Sequence, residues 1–154
     1  MQNRNLLRPI VLLLLLAAAA ACCPCRKYQR LYGAPLVGTR WLLVQLNGEE
    51  IADPDGRFSL RFEDTERLSG RGGCNRFSAA CKAEAGGHLR IGPIASTRMT
   101  CPEARREAVF FAVLRSAVRY ELDAKMLILS DSAGVRAVFQ AAEEKPAAPT
   151  RRAD

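Results

Sequence analysis

One segment of the chain, residues 100–118, departs from an otherwise strand-like pattern and has the residue spacing of an amphipathic helix. The apolar side chains on its predicted inner face are Phe110, Val113, Leu114 and Ala117. A single helix covers only one side of a small sheet, so the strands around it must curl to cover their own apolar face. The sequence therefore predicts an α+β fold, a curled, mainly antiparallel half-barrel of about six to eight strands packed on one helix.

The start of this helix has the residues of a capping box. The Thr100 hydroxyl can accept a first-turn N–H, while the Glu103 carboxylate can reach back to the Thr100 N–H. Pro102 suits a first turn, where the missing N–H would have no partner in any case. We predict a helix that begins at Thr100 and ends near Val118.

Short stretches in which apolar and polar residues alternate predict the strands of the sheet. In residues 58–62, Phe58, Leu60 and Phe62 alternate with Ser and Arg, which indicates one buried face. The other predicted strands are residues 41–46, 67–73, 76–83, 88–91, 126–129 and 135–139. Asn47-Gly48 predicts a type I′ turn with a return strand from Ile51, and residues 131–134 predict the loop of a final hairpin.

The N-terminal residues have the pattern of an export signal. Arg4 and Arg8 precede an uninterrupted apolar run from Ile10 to Ala21. A bilayer-spanning helix needs about 20 residues, and this run is shorter, as in a signal-peptide h-region. It ends in Ala19-Ala20-Ala21-Cys22, which is typical of a lipobox although Ala19 stands where Leu is usual. We predict that Cys22 is the lipidated first residue of the mature protein, carrying fatty acyl groups such as palmitate.

These observations divide the chain into four parts. The predicted parts are a lipoprotein-type signal peptide (1–21), an anchor and linker (22–35), a folded domain (36–140) and a disordered tail (141–154). We expect a protein anchored by lipid to the cell envelope and facing the periplasm. No Asp follows Cys22, which favours the outer membrane; a secreted or soluble periplasmic protein is the alternative.

The composition gives no sign of a catalytic or nucleic-acid-binding protein. The chain of 154 residues has a net charge of +7 and one histidine. Its basic residues are spread along the sequence without an aromatic–basic patch, so we expect no nucleic acid partner. No G-x-S-x-G elbow, phosphate-binding Gly-rich loop or four-ligand metal set occurs. We expect no enzyme activity, no cofactor and no bound metal, and we expect a monomer.

Two motifs follow one another in the middle of the chain. The first is Gly73-Cys74-Asn75, with Arg76-Phe77 after it, and the second is Thr97-Arg98-Met99-Thr100-Cys101. Together with the upstream Trp41 and the final hairpin, they resemble the META domain of the HslJ heat-shock-like family. The resemblance covers roughly residues 37–140. It implies a set of motif residues whose role is unknown: Gly73, Asn75, Arg76, Thr97, Arg98 and Met99.

The resemblance implies a class of protein rather than a reaction. Members of this family are small exported or envelope proteins, often lipoproteins, linked to heat-shock expression and antibiotic tolerance. We therefore expect a non-enzymatic envelope lipoprotein that acts in stress tolerance or envelope integrity by binding an envelope protein. The alternatives are a carrier that holds a hydrophobic ligand between sheet and helix, and a periplasmic inhibitor of a lytic enzyme.

Three cysteines of the predicted domain would lie in a compartment where disulfides persist. We predict a Cys74–Cys101 disulfide, which would fasten the helix start to the sheet and contribute about 3–4 kcal/mol in the loop-entropy model. In the competing arrangement Cys81 replaces Cys74, and otherwise Cys81 is free. A Cys74–Cys81 pair is disfavoured if both lie along one strand.

Structural roles are the simpler hypothesis for the motif residues. Asn75 follows two glycines and a cysteine, and could take a left-handed conformation and bond its own backbone. Thr97 would satisfy backbone groups before the helix, Arg98 would lie at the surface, and Met99 would fill core space. A ligand site at Asn75 and Arg76 is the alternative, and His88 is expected to be an exposed turn residue.

Overall fold

The computed structural model of the protein describes residues 33–143. The predicted signal peptide, the lipidation site Cys22, nearly all of the predicted linker and residues 144–154 of the predicted tail lie outside the described residues. Ala34 begins the compact unit that contains every element named below. Across residues 33–143, no helix has both the length and the apolar character that crossing a bilayer requires.

One helix and nine strands make up the described part of the chain. The strands are β1 (Arg40–Leu46), β2 (Glu49–Glu50), β3 (Phe58–Phe62), β4 (Arg67–Gly72), β5 (Arg76–Ala83), β6 (Leu89–Ser96), β7 (Arg119–Asp123), β8 (Met126–Asp131) and β9 (Gly134–Ala141), and the helix is α1 (Ala104–Ser116). All strands belong to one antiparallel sheet in the order β6-β5-β4-β3-β1-β9-β8-β7, with β2 paired to β1. The predicted α+β half-barrel on one helix is confirmed.

The alternation of apolar and polar residues on β3 agrees with the prediction except at one position. Phe58, Leu60 and Phe62 are buried and Arg61 is exposed, whereas Ser59, predicted to lie on the solvent face, is 4% exposed.

The β1–β2 turn holds Asn47 at φ 49° and Gly48 at φ 86°. A type I′ turn requires positive φ at both central residues, which Asn and Gly tolerate best, so the predicted turn is confirmed. The prediction that the return strand begins at Ile51 is wrong, because the two-residue turn leads directly into the pairing of Glu49 with Leu46 and the strand is Glu49–Glu50.

The two end strands of the sheet, β6 and β7, meet and partly close the half-barrel. The Leu89 N–H donates to the Val118 carbonyl at 2.9 Å, and the Tyr120 N–H donates to the Gly87 carbonyl at 2.8 Å. Gly87 has φ +86°, and a Cβ there would lie 2.6 Å from the Tyr120 carbonyl oxygen. Only glycine fits this close approach without a shift of the backbone.

The helix begins later than predicted, and the capping box is absent. Its N-cap is Glu103, with no side-chain capping hydrogen bond, and its first residue is Ala104. The prediction that it begins at Thr100 is therefore wrong. Cys101 is tied to the β4–β5 turn by a disulfide and precedes Pro102, which disfavours helical backbone at the residue before it. The helix ends at Ser116, because Ala117 is extended and leads into β7, a strand that the sequence analysis missed.

The inner face of α1 packs on the sheet through phenylalanine rings. Phe110 is fully buried, with ring centroids 5.6 Å from Phe58, 5.9 Å from Phe77 and 6.2 Å from Phe139. Val113, Leu114 and Ala117 are buried as well, so the predicted inner face is confirmed. Large aromatic side chains therefore occupy the space between sheet and helix.

Strand β6 is longer than the predicted 88–91 and runs to Ser96 despite Pro93. In its pairing with β5, Ala79 opposes Ile94 and Cys81 opposes Ile91, so the register shifts between them. Such a bulge, at the end of the sheet path, accommodates a residue that has no N–H to donate.

Candidate functional site

The predicted disulfide joins the two motifs covalently. Cys74 and Cys101 are bonded, with their Cα atoms 6.3 Å apart, which confirms the prediction and rules out the competing Cys81–Cys101 pair. Cys81 is a free cysteine on β5. Burial raises the pKa of the Cys81 thiol to about 11, and the carboxylates of Asp64 and Glu66 add to this rise.

Asn75 connects the first motif to the second through its side-chain amide. Its Oδ1 accepts hydrogen bonds from the Thr97 hydroxyl at 2.8 Å and from the Met99 N–H at 2.7 Å. Its Nδ2 donates to the Met99 carbonyl at 3.3 Å and to Glu107 Oε1 at 2.7 Å. A side-chain amide has two donor hydrogens and two acceptor lone pairs, so every hydrogen-bonding position of this amide is occupied.

Glu107 connects Asn75 to the helix. It lies in the first turn of α1, is 8% exposed, and its Oε2 accepts the Asn75 N–H at 3.1 Å. A buried carboxylate is costly unless it is hydrogen-bonded. The helix is therefore stable on the sheet only where Glu107 reaches the donors of Asn75. We call Asn75, Thr97, the Met99 backbone and Glu107 the Asn75 junction.

The junction corrects one prediction and supports another. Asn75 is not left-handed, since the non-glycine residues with positive φ in the described chain are Asn47 and Ala124, and its side chain binds the second motif instead of its own backbone. Thr97 does satisfy a backbone group, because its hydroxyl oxygen accepts the Arg76 N–H at 3.2 Å. Gly73, at φ +93°, makes the turn that brings Asn75 inward, and a Cβ there would lie 2.9 Å from the Phe58 ring.

The remaining motif residues point to solvent. Arg76 and Arg98 are exposed, as predicted for Arg98. Met99 is 65% exposed, so the prediction that it fills core space is wrong. Its backbone N–H and carbonyl are both bonded to Asn75, which holds this segment at the rim of the fold and leaves the thioether outside.

A further arginine completes this exposed group. Arg71 on β4 lies directly opposite Arg76 on β5, and both are exposed. Like charges directly opposite each other on a sheet repel. Within residues 33–143, no ion pair forms to Arg71, Arg76 or Arg98, whereas Arg57, Arg61 and Arg67 each have a carboxylate partner. We call Arg71, Arg76, Arg98 and Met99 the arginine–methionine surface.

The other sequence candidates do not form a second site. His88 is exposed, as predicted. In the described part of the chain, no group of three or more His, Cys, Asp or Glu side chains could hold a metal ion. No buried side-chain polar atom there lacks a hydrogen-bond partner, so the buried polar atoms are fully used by the fold.

With this geometry in view, comparison with protein-family models gives a match to the META domain over residues 34–144. The chain belongs to the META domain family. The matched region contains both motifs, the disulfide and the whole sheet of this META domain. Comparison with curated protein sequences gives no match.

Solved structures share the fold of this META domain at low sequence identity. One NMR structure of a protein is 24% identical with a TM-score of 0.56, covering 69% of this chain and 91% of its own. An NMR structure of a protein from Burkholderia xenovorans is 24% identical with a TM-score of 0.55, covering 70% and 83%. A crystal structure of a DUF4847 family protein from Bacteroides vulgatus is 16% identical with a TM-score of 0.51, covering 71% and 96%. These likenesses concern the fold and give no indication of an enzyme.

Two residues of the site were missed by the sequence analysis. Glu107 lies among exposed charged residues of the helix start, and 32 positions separate it from Asn75, so no local pattern marks it as buried. Arg71 stands out only once the β4–β5 register places it opposite Arg76. The alternation of the two strands could have identified that pair, because both arginines occupy outward positions next to the turn.

Proposed function

We propose that this protein is a lipid-anchored, non-enzymatic binding protein of the cell envelope, facing the periplasm and acting in stress tolerance or envelope integrity. The observation that supports a binding role is that the motif residues fall into two groups, one used in structural contacts and one exposed to solvent. Asn75, Thr97 and the two cysteines are consumed by the junction and the disulfide. Arg76, Arg98 and Met99 make no side-chain bond in the described chain and face solvent.

The chemistry of the exposed residues favours a partner rather than a reaction. Guanidinium groups bind carboxylates in a bidentate manner, and an exposed methionine supplies an adaptable apolar contact. The buried groups that could act as acid or base are already committed, since Glu107 is bonded to Asn75. A protein segment rich in Asp or Glu, presented by another envelope protein, fits the arginine–methionine surface best.

The structure offers less support for the alternative of a hydrophobic carrier. Phe58, Phe77, Phe110 and Phe139 meet between sheet and helix with ring centroids within 6.2 Å of Phe110. An acyl chain would have to displace these rings, because they contact one another in the space between sheet and helix. No observation specifically favours an inhibitor of a lytic enzyme.

Site-specific photo-crosslinking in cells tests the proposed surface. A photoreactive amino acid replaces Met99 in the full chain, and capture is compared between this protein and the same protein carrying Arg76→Glu and Arg98→Glu. We expect the double charge reversal to reduce capture of one envelope protein at least tenfold, because the carboxylates of the partner would then be repelled. Arg105→Glu, an exposed helix position, is the matched control and should leave capture unchanged.

The membrane anchor is tested separately with Cys22→Ala. If the anchor positions the domain, this variant should lose capture in cells although its arginine–methionine surface is intact. Equal capture from the charge-reversed protein and its parent would refute the proposed surface, and equal capture from Cys22→Ala would refute a role for anchoring.

A further inference from the structure

A cavity lies where the two ends of the sheet meet. It has a volume of about 560 Å³ and lies beside the β5–β6 hairpin and the C-terminal end of α1. Basic side chains of Lys82, His88, Arg90 and Arg115 line it, together with apolar Leu89 and Val118. We call it the seam cavity. Its volume is within the range of about 300–1,000 Å³ that is common for small-molecule sites.

The charges around the seam cavity are unbalanced. Glu84 is the acidic residue of its lining, and it is bound to Lys82 at 2.8 Å. Arg90 and Arg115 form no ion pair within residues 33–143, and Arg90 lies directly opposite Lys82 in the β5–β6 register. Two guanidinium groups therefore line the cavity without an ion pair in the described chain, although the Glu84 carboxylate is near enough to Arg90 for the two charges to attract.

The pKa of Glu84 reflects the same basic side chains. Its pKa is lowered, first by the hydrogen bond and charge of Lys82, and also by His88 and Arg90. The carbonyl end of α1 opposes these positive charges with about half a negative charge. The charges of Lys82, Arg90 and Arg115, the last of which lies in the last turn of the helix, exceed the charge of Glu84 and this half charge, so the balance at the cavity stays positive.

The backbone around the cavity is held in place by hydrogen bonds before any ligand arrives. The Glu84 N–H donates to the His88 carbonyl at 2.9 Å, and the Tyr120 hydroxyl donates to the Glu84 carbonyl at 3.0 Å. The Leu89–Val118 backbone hydrogen bond crosses the seam itself. A preformed site loses less conformational entropy on binding than a mobile one.

Part of the lining of the cavity is apolar. Leu89 is 5% exposed and Ala117 is 3% exposed, whereas Val118 is 49% exposed. In a ligand with an anionic group beside an apolar part, the apolar part would cover Val118 and the anionic group would bind the guanidinium groups. Because guanidinium geometry matches phosphate and carboxylate oxygens, both kinds of anion share the required chemistry.

We infer that the seam cavity binds a small molecule that carries a phosphate or carboxylate group beside an apolar part. Three observations support this inference: two arginines without an ion pair, an apolar part of the lining, and a backbone fixed by hydrogen bonds. This site is separate from the arginine–methionine surface. Arg76 begins β5 and Lys82 lies near its other end, which places them about 20 Å apart at the usual rise of a strand. The inference therefore stands or falls independently of the proposed function.

Titration of the full chain, purified in a non-ionic detergent, with four probes tests the inference. The probes are butyl phosphate, butyrate, inorganic phosphate and butanol, and amide chemical shifts report both the affinity and the position of binding. We expect butyl phosphate and butyrate to shift the amides around His88 and Val118. Inorganic phosphate should bind there at least tenfold more weakly, and butanol should not bind.

Three variants decide the outcome. Arg90→Gln combined with Arg115→Gln should weaken binding of the charged probes at least tenfold, and Arg105→Gln should not change it. All three arginines are exposed, so these substitutions leave the core intact. Val118→Ser should weaken butyl phosphate several-fold while leaving inorganic phosphate unchanged. Equal affinity in the Arg90/Arg115 variant and the Arg105 control, or shifts scattered over all basic surfaces, would overturn the inference.

Discussion

The two ends of β5 are joined to the rest of the molecule by different means. At the Arg76 end, a disulfide, a buried amide and a buried carboxylate connect three separate segments. At the Ala83 end, backbone hydrogen bonds across the seam and one closely packed glycine bring β6 and β7 together. The first end depends on the identity of its side chains, and the second depends mainly on backbone geometry.

This difference explains why one end is visible in the sequence and the other is not. Where the fold depends on side chains that only Asn, Cys or Thr can supply, those residues form a recognisable motif in the sequence. The two motifs at this end carry the resemblance to the META domain. Backbone hydrogen bonds are available to almost every residue, so the seam leaves one signal, Gly87, which by itself predicts only a turn. The contrast predicts that substitutions at the Asn75 end are the more damaging.

The largest effect is expected for Asn75→Ala. It removes four side-chain hydrogen bonds and leaves the buried Glu107 carboxylate with one fewer donor, so we expect a loss of about 3–4 kcal/mol in unfolding free energy. Urea unfolding of the full chain measures this loss. Ser78→Ala, at an exposed position of the same strand, should change the free energy by less than about 0.5 kcal/mol. A loss below about 1 kcal/mol for Asn75→Ala would contradict the central place given to the junction.

Removal of the disulfide should have an effect of similar size. Cys74→Ala combined with Cys101→Ala opens a cross-link that spans 27 residues, which corresponds to about 3–4 kcal/mol in the loop-entropy model. Thermal and urea unfolding of the oxidised protein give the comparison. Cys81→Ala serves as the matched cysteine control, and a similar loss in that variant would show that the disulfide is not the cause.

At the seam, Gly87→Ala should cost about 2 kcal/mol, because the new Cβ meets the Tyr120 carbonyl and the residue has positive φ. The neighbouring Gly86 also has positive φ, at +107°, but has open space around its Cβ position. Gly86→Ala should therefore show only the conformational part, about 1 kcal/mol. If the two variants were equally stable, the contact between the Cβ at position 87 and the Tyr120 carbonyl would not contribute to the loss of stability.

The last effect concerns the free thiol between the two ends and is seen only at alkaline pH. The raised pKa of the Cys81 thiol, about 11 against a usual 9.0, means that the folded state holds this proton more tightly than the unfolded chain does. Its contribution to stability is thus present below pH 9 and is lost as the pH rises towards 11. Wild-type protein should lose more stability than Cys81→Ser over that range, and the difference between the two curves measures the contribution.

The thiol also gives a kinetic test at lower pH. At pH 8, a pKa of about 11 leaves far less thiolate than an ordinary cysteine has. Alkylation of the peptide that contains Cys81, followed by mass spectrometry, should be about a hundredfold slower in the folded chain than in urea. Equal rates in the two states would show that burial does not protect this thiol.

The sequence was sufficient for elements whose signal is local. The alternation on β3, the Asn47-Gly48 turn and the inner face of α1 each follow from neighbouring residues. The start of α1 was not predictable in this way, because Cys101 is held by a partner on the β4–β5 turn. Strand β7 was missed although Tyr120 and Leu122 alternate with charged residues, because the strand has only five residues and directly follows the segment predicted as helix up to Val118.

The same distinction between local signals and distant partners holds for the residues of the candidate site. The disulfide was predicted from the compartment and from the positions of the cysteines relative to strand and helix. The exposure of Met99 could not be predicted, since an isolated methionine gives no sign of which way its backbone is held. Here that backbone is fixed by Asn75, which lies 24 positions earlier.

The Asn75 junction also bears on how the protein becomes oxidised. Asn75 adjoins Cys74, and the Met99 backbone that it grips lies two positions before Cys101. Cys81, in contrast, lies further along β5 and is turned towards the carbonyl of Thr65, a residue that precedes β4. We expect the amide to bring the correct thiols side by side before any oxidant acts, so that conformational folding selects the pairing and oxidation merely makes it permanent.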